Sequence, residues 1–289
     1  MHLEMSKLIV GTMTWGAWGR KFTTEEATQL IQRCLDLGLN TFDHADIYGG
    51  YTTEAEFGKA FQSSGIARES IIHISKCGIQ MPCEARPLNV KHYDYTQKHI
   101  IQSAEKSLTN LKTDYIDVLL LHRPSPLMQV EEIAAAFAQL KSSGKVKSFG
   151  VSNFTPSQMT YLQQEVDLDW NQIECSLSHN EPMFDGSLDY HLSQQIKSMA
   201  WSPLGNYFKE KNIANERVHQ LMQELCTTYN ATEDQLLLAW LLHHPAKIYP
   251  VLGTTRIERL TASLAAENIT LQLTDWFRLL EAQWGHEVP

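Results

Sequence analysis

The run Ile71-Ile72-His73-Ile74-Ser75-Lys76 decides the fold. It reads as a strand buried in the interior, yet it ends on a lysine. A buried ammonium needs a carboxylate beside it, so the same run also predicts a charged partner close in space. Working outward, β-rich runs recur at 8–12, 40–43, 116–122, 147–152, 171–175, 198–202 and 248–252, which with 71–76 makes eight. Amphipathic segments at 24–37, 54–62, 96–111, 130–142 and 216–229 lie between them. Ile100, Ile101, Ala104, Leu108 and Leu111 make one face of such a segment. Thr24 is expected to cap the first helix and Gly38 to end it. Ser143-Gly144 should end the helix before Lys147, and Pro156 should open another after Thr155. This alternation predicts α/β class: a single (β/α)8 TIM barrel over residues 1–289, with an extra C-terminal helix.

Composition agrees. The chain has 289 residues, 43% of them hydrophobic, with 33 acidic against 24 basic residues and a formal net charge of −9. That suits a large core and argues against disorder. No stretch approaches the length of a membrane span, and no block of Lys/Arg could track phosphates, so neither membrane nor nucleic acid is an expected partner. Met1-His2-Leu3-Glu4-Met5 lacks a basic stretch before an apolar run, so no secretory leader is expected. Cys34, Cys77, Cys83, Cys175 and Cys226 are odd in number and form no CxxC pair. Reduced thiols and a cytoplasmic location follow, with no zinc site expected.

A barrel of this kind carries its chemistry where the strands end. There the sequence places Thr12, Asp43, Lys76, His122, Ser152, Asn153, Gln172, Trp201 and Ser202, and Tyr48 shortly after the second strand. Lys76 and Asp43 could form one structural ion pair. With Tyr48 and His122 beside them they could do more. A unit charge at about 4 Å in an effective dielectric of ~20 is worth about 4 kcal/mol, or roughly 3 pKa units. Lys76 is therefore expected to bring Tyr48 towards neutrality as a general acid, with His122 polarising a carbonyl. The hydride needed to complete a reduction must come from a cofactor.

These residues carry a family resemblance. Phe42 to Gly49, Ile74-Ser75-Lys76-Cys77-Gly78 and Asp117 to Pro124 resemble the three catalytic blocks of the aldo-keto reductases. Gly150-Val151-Ser152-Asn153-Phe154, Asn171-Gln172-Ile173-Glu174 and Ala200 to Gly205 resemble that family's nicotinamide-binding blocks. The wording of the blocks, with Trp276-Phe277-Arg278 and Val288-Pro289, is most similar to the YdhF-like bacterial oxidoreductases. The resemblance implies an NADPH-dependent carbonyl reductase, with an aldehyde or ketone as substrate and a monomer as the default. Tyr48 would donate the proton, Lys76 tune it, Asp43 orient Lys76 and His122 position the carbonyl. Ser152, Asn153 and Gln172 would hold the nicotinamide carboxamide, with Trp201 stacked under the ring. Thr12 would join the cofactor contacts, and Ser202, Leu204 and Gly205 would follow the pyrophosphate. Gly253-Thr254-Thr255-Arg256 and Arg259 resemble the adenosine-phosphate segment, with the two arginines on the 2′-phosphate. Threonine replaces a basic residue common at the start of that segment, and Ala262-Ser263 replaces a Glu-Asn pair. Both changes would weaken adenine recognition and the preference for NADP, leaving NADH possible. Only residues 1–7 precede the first strand, so the hairpin that often closes the barrel bottom is expected to be missing or short.

For the substrate pocket the candidates are Trp15, Tyr93 and Arg123, while Trp18 is read as packing. The loop 78–95 is long for its position and should border the site. Arg123 could meet an anionic substrate or pair with a carboxylate. His44 and Asp46 read as satisfied loop residues, and His243-His244 as a helix end. No GxGxxG follows a strand and no P-loop spacing occurs, so the barrel itself must bind the cofactor. Two competing readings remain: a nicotinamide-binding regulator without turnover, and a metal hydrolase using Asp43, His44, Asp46 and His122.

Overall fold

The computed structural model describes residues 4–84 and 86–289; Met1 to Leu3, where the reading for a leader begins, and Ala85 of the long loop lie outside them. Eight strands form the barrel: β1 (Ile9–Gly11), β2 (Thr41–Asp43), β3 (Ile72–Cys77), β4 (Ile116–Leu121), β5 (Val146–Ser152), β6 (Trp170–Glu174), β7 (Lys197–Trp201) and β8 (Tyr249–Leu252). Each lies parallel to the next, and β8 returns to β1. The expected strands are therefore present, shifted at their ends by a residue at most. Residues 4–8 carry no strand.

The helices are α1 (Thr24–Asp36), α2 (Thr53–Ser64), α3 (Gln97–Leu111), α4 (Val130–Ser142), α5 (Pro156–Leu162), α6 (Ser187–Ser193), α7 (Ile213–Tyr229), α8 (Glu233–Leu242), α9 (Ile257–Leu264) and α10 (Leu273–Trp284). The cap of α1 is corrected by one residue. Thr23, not Thr24, accepts from the backbone N–H of Glu26, and the Glu26 carboxylate accepts from the Thr23 N–H. Glutamate three places on is what selects Thr23. Thr155 and Gln158 repeat the device ahead of Pro156. A short antiparallel pair, Ile79–Gln80 with His92–Tyr93, organises the long loop after β3.

Alternation along the strands divides the core. Ile9, Ile74, Val118, Leu120, Trp170, Met199 and Val251 pack together inside the barrel, and two larger clusters fill the space between barrel and helices. The extra C-terminal helix is pinned by a reciprocal pair. Trp240 of α8 and Trp276 of α10 stack at 4.7 Å, and each indole N–H donates to the other's carbonyl. Register sets the mouth: Gly11 pairs with Asp43, Asp43 with Ile74, Lys76 with Leu120, and Ser152 with Gln172. The polar strand ends thus converge on one rim. No described helix is long and apolar enough to cross a membrane.

Candidate active site

Lys76 lies on the same face of β3 as the interior residue Ile74, with 1% of its side chain exposed. Its three N–H groups are all used. Nζ donates to the Asp43 carboxylate at 2.7 and 2.8 Å, to the His44 carbonyl at 2.9 Å and to the Tyr48 hydroxyl at 3.1 Å. Burial works against the ammonium, but Asp43 and Tyr48 outweigh it and the Lys76 pKa ends above its ordinary value. Tyr48 opens a tight turn in which Gly49 and Gly50 both have positive φ, 62° and 69°. A side chain at Gly49 would strike the Thr53 hydroxyl, so glycine is what lets this turn close beside β2.

The tyrosine corrects an expectation. Burial raises its pKa; Lys76 pulls it down, Asp43 raises it again, and the net shift is upward. The Asp43 carboxylate cancels much of the field that Lys76 would exert alone. Tyr48 is thus held as a phenol, with its oxygen accepting from Lys76 and its own proton free to point elsewhere. The His122 and Tyr48 rings lie 6.2 Å apart, nearly perpendicular. Burial first, and then Lys76, Arg123 and Lys91, hold the His122 pKa well below its ordinary value, so the imidazole is neutral. Its Nδ1 is buried without a partner among the described residues. With Nδ1 enclosed, Nε2 is the ring nitrogen left to meet a ligand.

The residues expected at the nicotinamide form a chain leading into this cluster. Trp201 Nε1 donates to Asn153 Oδ1 at 2.9 Å, and Asn153 Nδ2 donates to Ser152 Oγ at 2.8 Å. Ser152 Oγ donates to the Gln172 carbonyl at 2.9 Å, and Gln172 Nε2 donates to Asp43 Oδ1 at 2.9 Å. Asn153 adopts positive φ, 61°, which turns it out of β5. Beyond Trp201, Ser202 and Gly205 also take positive φ. At Gly205 a side chain would meet the Ser176 and Ser178 hydroxyls, so the backbone there approaches that turn closely. Leu204 packs against the larger core.

Past β8 the surroundings open. Gly253 is exposed, Thr254 and Thr255 are half-buried, and Thr254 Oγ1 accepts from the Arg256 N–H at 3.2 Å. Arg256 directly precedes α9, and Arg259 lies in its first turn. Both are exposed, and neither guanidinium meets a carboxylate among the described residues. Arginines at a helix start with no counter-charge are a donor set suited to a phosphate group.

Two expected contacts move. Trp15 does not line a pocket: it is 3% exposed and packed on Phe22, Phe42 and Phe57, because its ring fills the space behind β1 and β2. Trp18 reverses it, being 44% exposed with its ring 6.1 Å from that of Tyr48. Loop periodicity offered no way to tell the two apart. Thr12 is corrected as well: fully buried, its hydroxyl donates to the Asp43 carbonyl and meets His44 Nδ1 at 3.0 Å, which closes its side chain to a ligand. Tyr93 is exposed on the short antiparallel pair, and Arg123 lies half-buried against Trp201.

The groups of the metal-hydrolase reading face apart. Asp43 is held by Lys76, and Asp46 accepts from Ser103 Oγ at 2.7 Å. His44 is walled in between Thr12 and His73. Burial, then Lys76 and Arg68, lower the His44 pKa to about 3. Burial, opposed by Ser103, raises the Asp46 pKa to about 7. Two buried groups support the mouth from behind: Glu54, which sequence reasoning passed over, and Tyr95, which it placed only in the loop bordering the site. Glu54 accepts from Ser75 Oγ at 2.6 Å, and Tyr95 clamps the backbone of Arg123. Only their place beside the long loop and β3 hinted at them.

Comparison with known proteins fits this geometry. The sequence profile of the Aldo/keto reductase family matches residues 7–282. Oxidoreductase YdhF of Escherichia coli K12 is 41% identical, over 99% of this chain and 96% of that protein. The 6-dehydroglucose reductase of Agrobacterium fabrum C58 is 39% identical, over 99% and 97%. Among solved structures, the thermostable aldo-keto reductase Tm1743 with the inhibitor epalrestat superimposes with a TM-score of 0.81 at 26% identity, covering 96% of this chain and 95% of that one. An aldo/keto reductase from Klebsiella pneumoniae in complex with NADP and acetate has the same fold, with a TM-score of 0.78 at 23% identity and coverage of 95% and 90%.

Proposed function

This chain belongs to the aldo/keto reductase family of oxidoreductases, and from that premise we propose that it is an NADPH-dependent reductase of aldehydes and ketones. One observation carries the reading: a fully satisfied lysine joins Asp43 to the Tyr48 hydroxyl at the barrel mouth, with a neutral histidine beside it. NADPH, when bound, supplies the hydride that no side chain can. The residues fit that group. Asn153 and Trp201 are linked at the rim, the Gln172 amide nitrogen is committed to Asp43 so that its oxygen remains to accept, and Arg256 and Arg259 stand free for a 2′-phosphate. The Klebsiella relative in fold was solved with NADP, which agrees. Ser152 anchors Asn153, and Ser202 and Gly205 bend the chain just past Trp201.

Tyr48 then acts as general acid. Its oxygen already accepts from Lys76, so its proton is the one directed to the carbonyl oxygen. As the proton leaves, the phenolate charge grows 3.1 Å from an ammonium that Asp43 holds in place. His122 Nε2–H would donate to the same carbonyl oxygen and fix its approach. Such a donor acts without moving charge first, which is why a neutral imidazole suits the task. The whole chain, residues 1–289, would work as one cytoplasmic barrel domain and as a monomer.

The test is a fluorescence titration of the seven-tryptophan chain with NADPH and NADH, followed by a panel of aldehydes and ketones. The reading predicts NADPH binding and turnover, and Tyr48→Phe should lower kcat by about 10²- to 10⁴-fold while cofactor still binds. Binding without turnover across the panel would favour a regulator; failure to bind either nucleotide would contradict the cofactor assignment.

A further inference from the structure

Arg123 follows His122 at the end of β4, and its backbone is held from both sides by one group. Tyr95 Oη donates to the Arg123 carbonyl and accepts from the Arg123 N–H, the latter at 3.1 Å. Tyr95 is itself 5% exposed, so the clamp is rigid. The guanidinium carbon lies 5.4 Å from the centre of the Trp201 ring, a distance at which the cation rests on the π face and its orientation narrows. Among the described residues this guanidinium meets no carboxylate and donates no hydrogen bond. Arg68, by contrast, uses its donors on Thr113, the Ile71 and Tyr115 carbonyls and Asp117. Lys91, exposed and without an ion pair among the described residues, adds to the positive field felt by His122. A chain of net charge −9 thus keeps a cationic spot beside its proton donor.

We infer that the carbonyl substrate carries an anionic group (carboxylate, sulfonate or phosphate) which Arg123 receives while Tyr48 and His122 take the carbonyl oxygen. The inference rests on the reductase reading above and narrows its substrate class. The cofactor does not account for this cation, since the nicotinamide carries no negative charge, the turn at Ser202 to Gly205 is read along the pyrophosphate, and Arg256 and Arg259 are read on the 2′-phosphate. A planar guanidinium can take two oxygens of a carboxylate, sulfonate or phosphate at once, and its weak hydration makes the exchange favourable. Trp18, exposed beside Tyr48, supplies apolar surface for what connects the two polar ends.

The experiment compares kcat/KM for 4-formylbenzoate, 4-formylbenzenesulfonate and 4-formylphenyl phosphate with that for the neutral methyl 4-formylbenzoate. Wild type should favour at least one anion over the ester by about tenfold to a hundredfold, as a charge-assisted hydrogen bond allows. The anion favoured most identifies the headgroup. Arg123→Met should reduce that anion-to-ester ratio to near one, and Arg123→Lys should restore part of it. Arg123→Gln keeps the stem and a donor, and serves if the methionine variant folds poorly. A wild-type ratio near one, or a ratio that none of the substitutions changes, overturns the inference and leaves the reductase reading standing. Turnover of none of the four aldehydes, nor of any other carbonyl, overturns the reductase reading and the inference with it.

Discussion

The rim above β2, β3 and β6 and the rim above β8 are built on opposite plans. At the first, Lys76, Asp43, Gln172, Ser152, Asn153 and Trp201 spend their polar groups on one another, and the central ion pair is almost fully enclosed. At the second, Arg256 and Arg259 stand in solvent with no counter-charge among the described residues. A group that must react in one geometry is pre-organised by neighbours at a cost in desolvation. A group that only grips a charged ligand can wait exposed and lose little. Damage at the first rim should therefore reach stability and chemistry together, whereas damage at the second should reach binding alone.

The largest test of that contrast is Lys76→Met. It strands the buried Asp43 carboxylate, which should cost about 3–5 kcal/mol of stability. It should also lower kcat by about 10²-fold or more, since the leaving proton loses its nearby ammonium. Adding Asp43→Asn should return part of the stability, read by denaturant unfolding, and none of the turnover. Arg256→Ala and Arg259→Ala come next. Each should weaken NADPH binding by about tenfold to a hundredfold, leave NADH binding almost alone and shift stability by no more than about 0.5 kcal/mol. Equal losses for both nucleotides would break the assignment of these arginines to the 2′-phosphate.

A narrower test lies behind the first rim, at Asp46, whose Oδ1 is buried without a partner among the described residues and whose pKa rises from 3.8 to about 7. Between those values the folded chain holds a proton that the unfolded chain releases. Its contribution to stability is full below about pH 4 and is lost as pH climbs to 7. Asp46→Asn removes that dependence. Its stability relative to wild type should grow between pH 4 and pH 8, by up to about 4 kcal/mol for a shift of roughly 3 pKa units, in unfolding curves taken at both.

Much of this was legible in the sequence, for physical reasons that also mark where legibility stops. Apolar runs ending in Asp43, Lys76 and His122 are unusual enough to announce both the strands and the site. The helix Glu233–Leu242 was legible only from its end, at His243-His244 before Pro245, because Leu236 to Leu241 are all buried and a helix apolar on every side has no periodic face to read. Trp15 and Trp18 sit three residues apart in one loop, and only the packing of Phe22, Phe42 and Phe57 shows which turns inward. Thr12 failed for a related reason: a hydroxyl at a strand end serves a ligand or a neighbouring histidine equally well. The sign of the Tyr48 shift failed because Lys76 was weighed without the burial of the phenol and without the carboxylate that Lys76 itself requires.

That sign is the most direct test of the account. The measurement is kcat for carbonyl reduction by the wild-type protein from pH 6 to pH 10.5, with Tyr48→Phe as the blank. A tyrosine kept as a phenol predicts a rate that stays level through neutral and mildly alkaline pH and falls only as pH passes 10. A decline centred near pH 7 would show that Lys76 prevails over burial and Asp43, and would contradict the account.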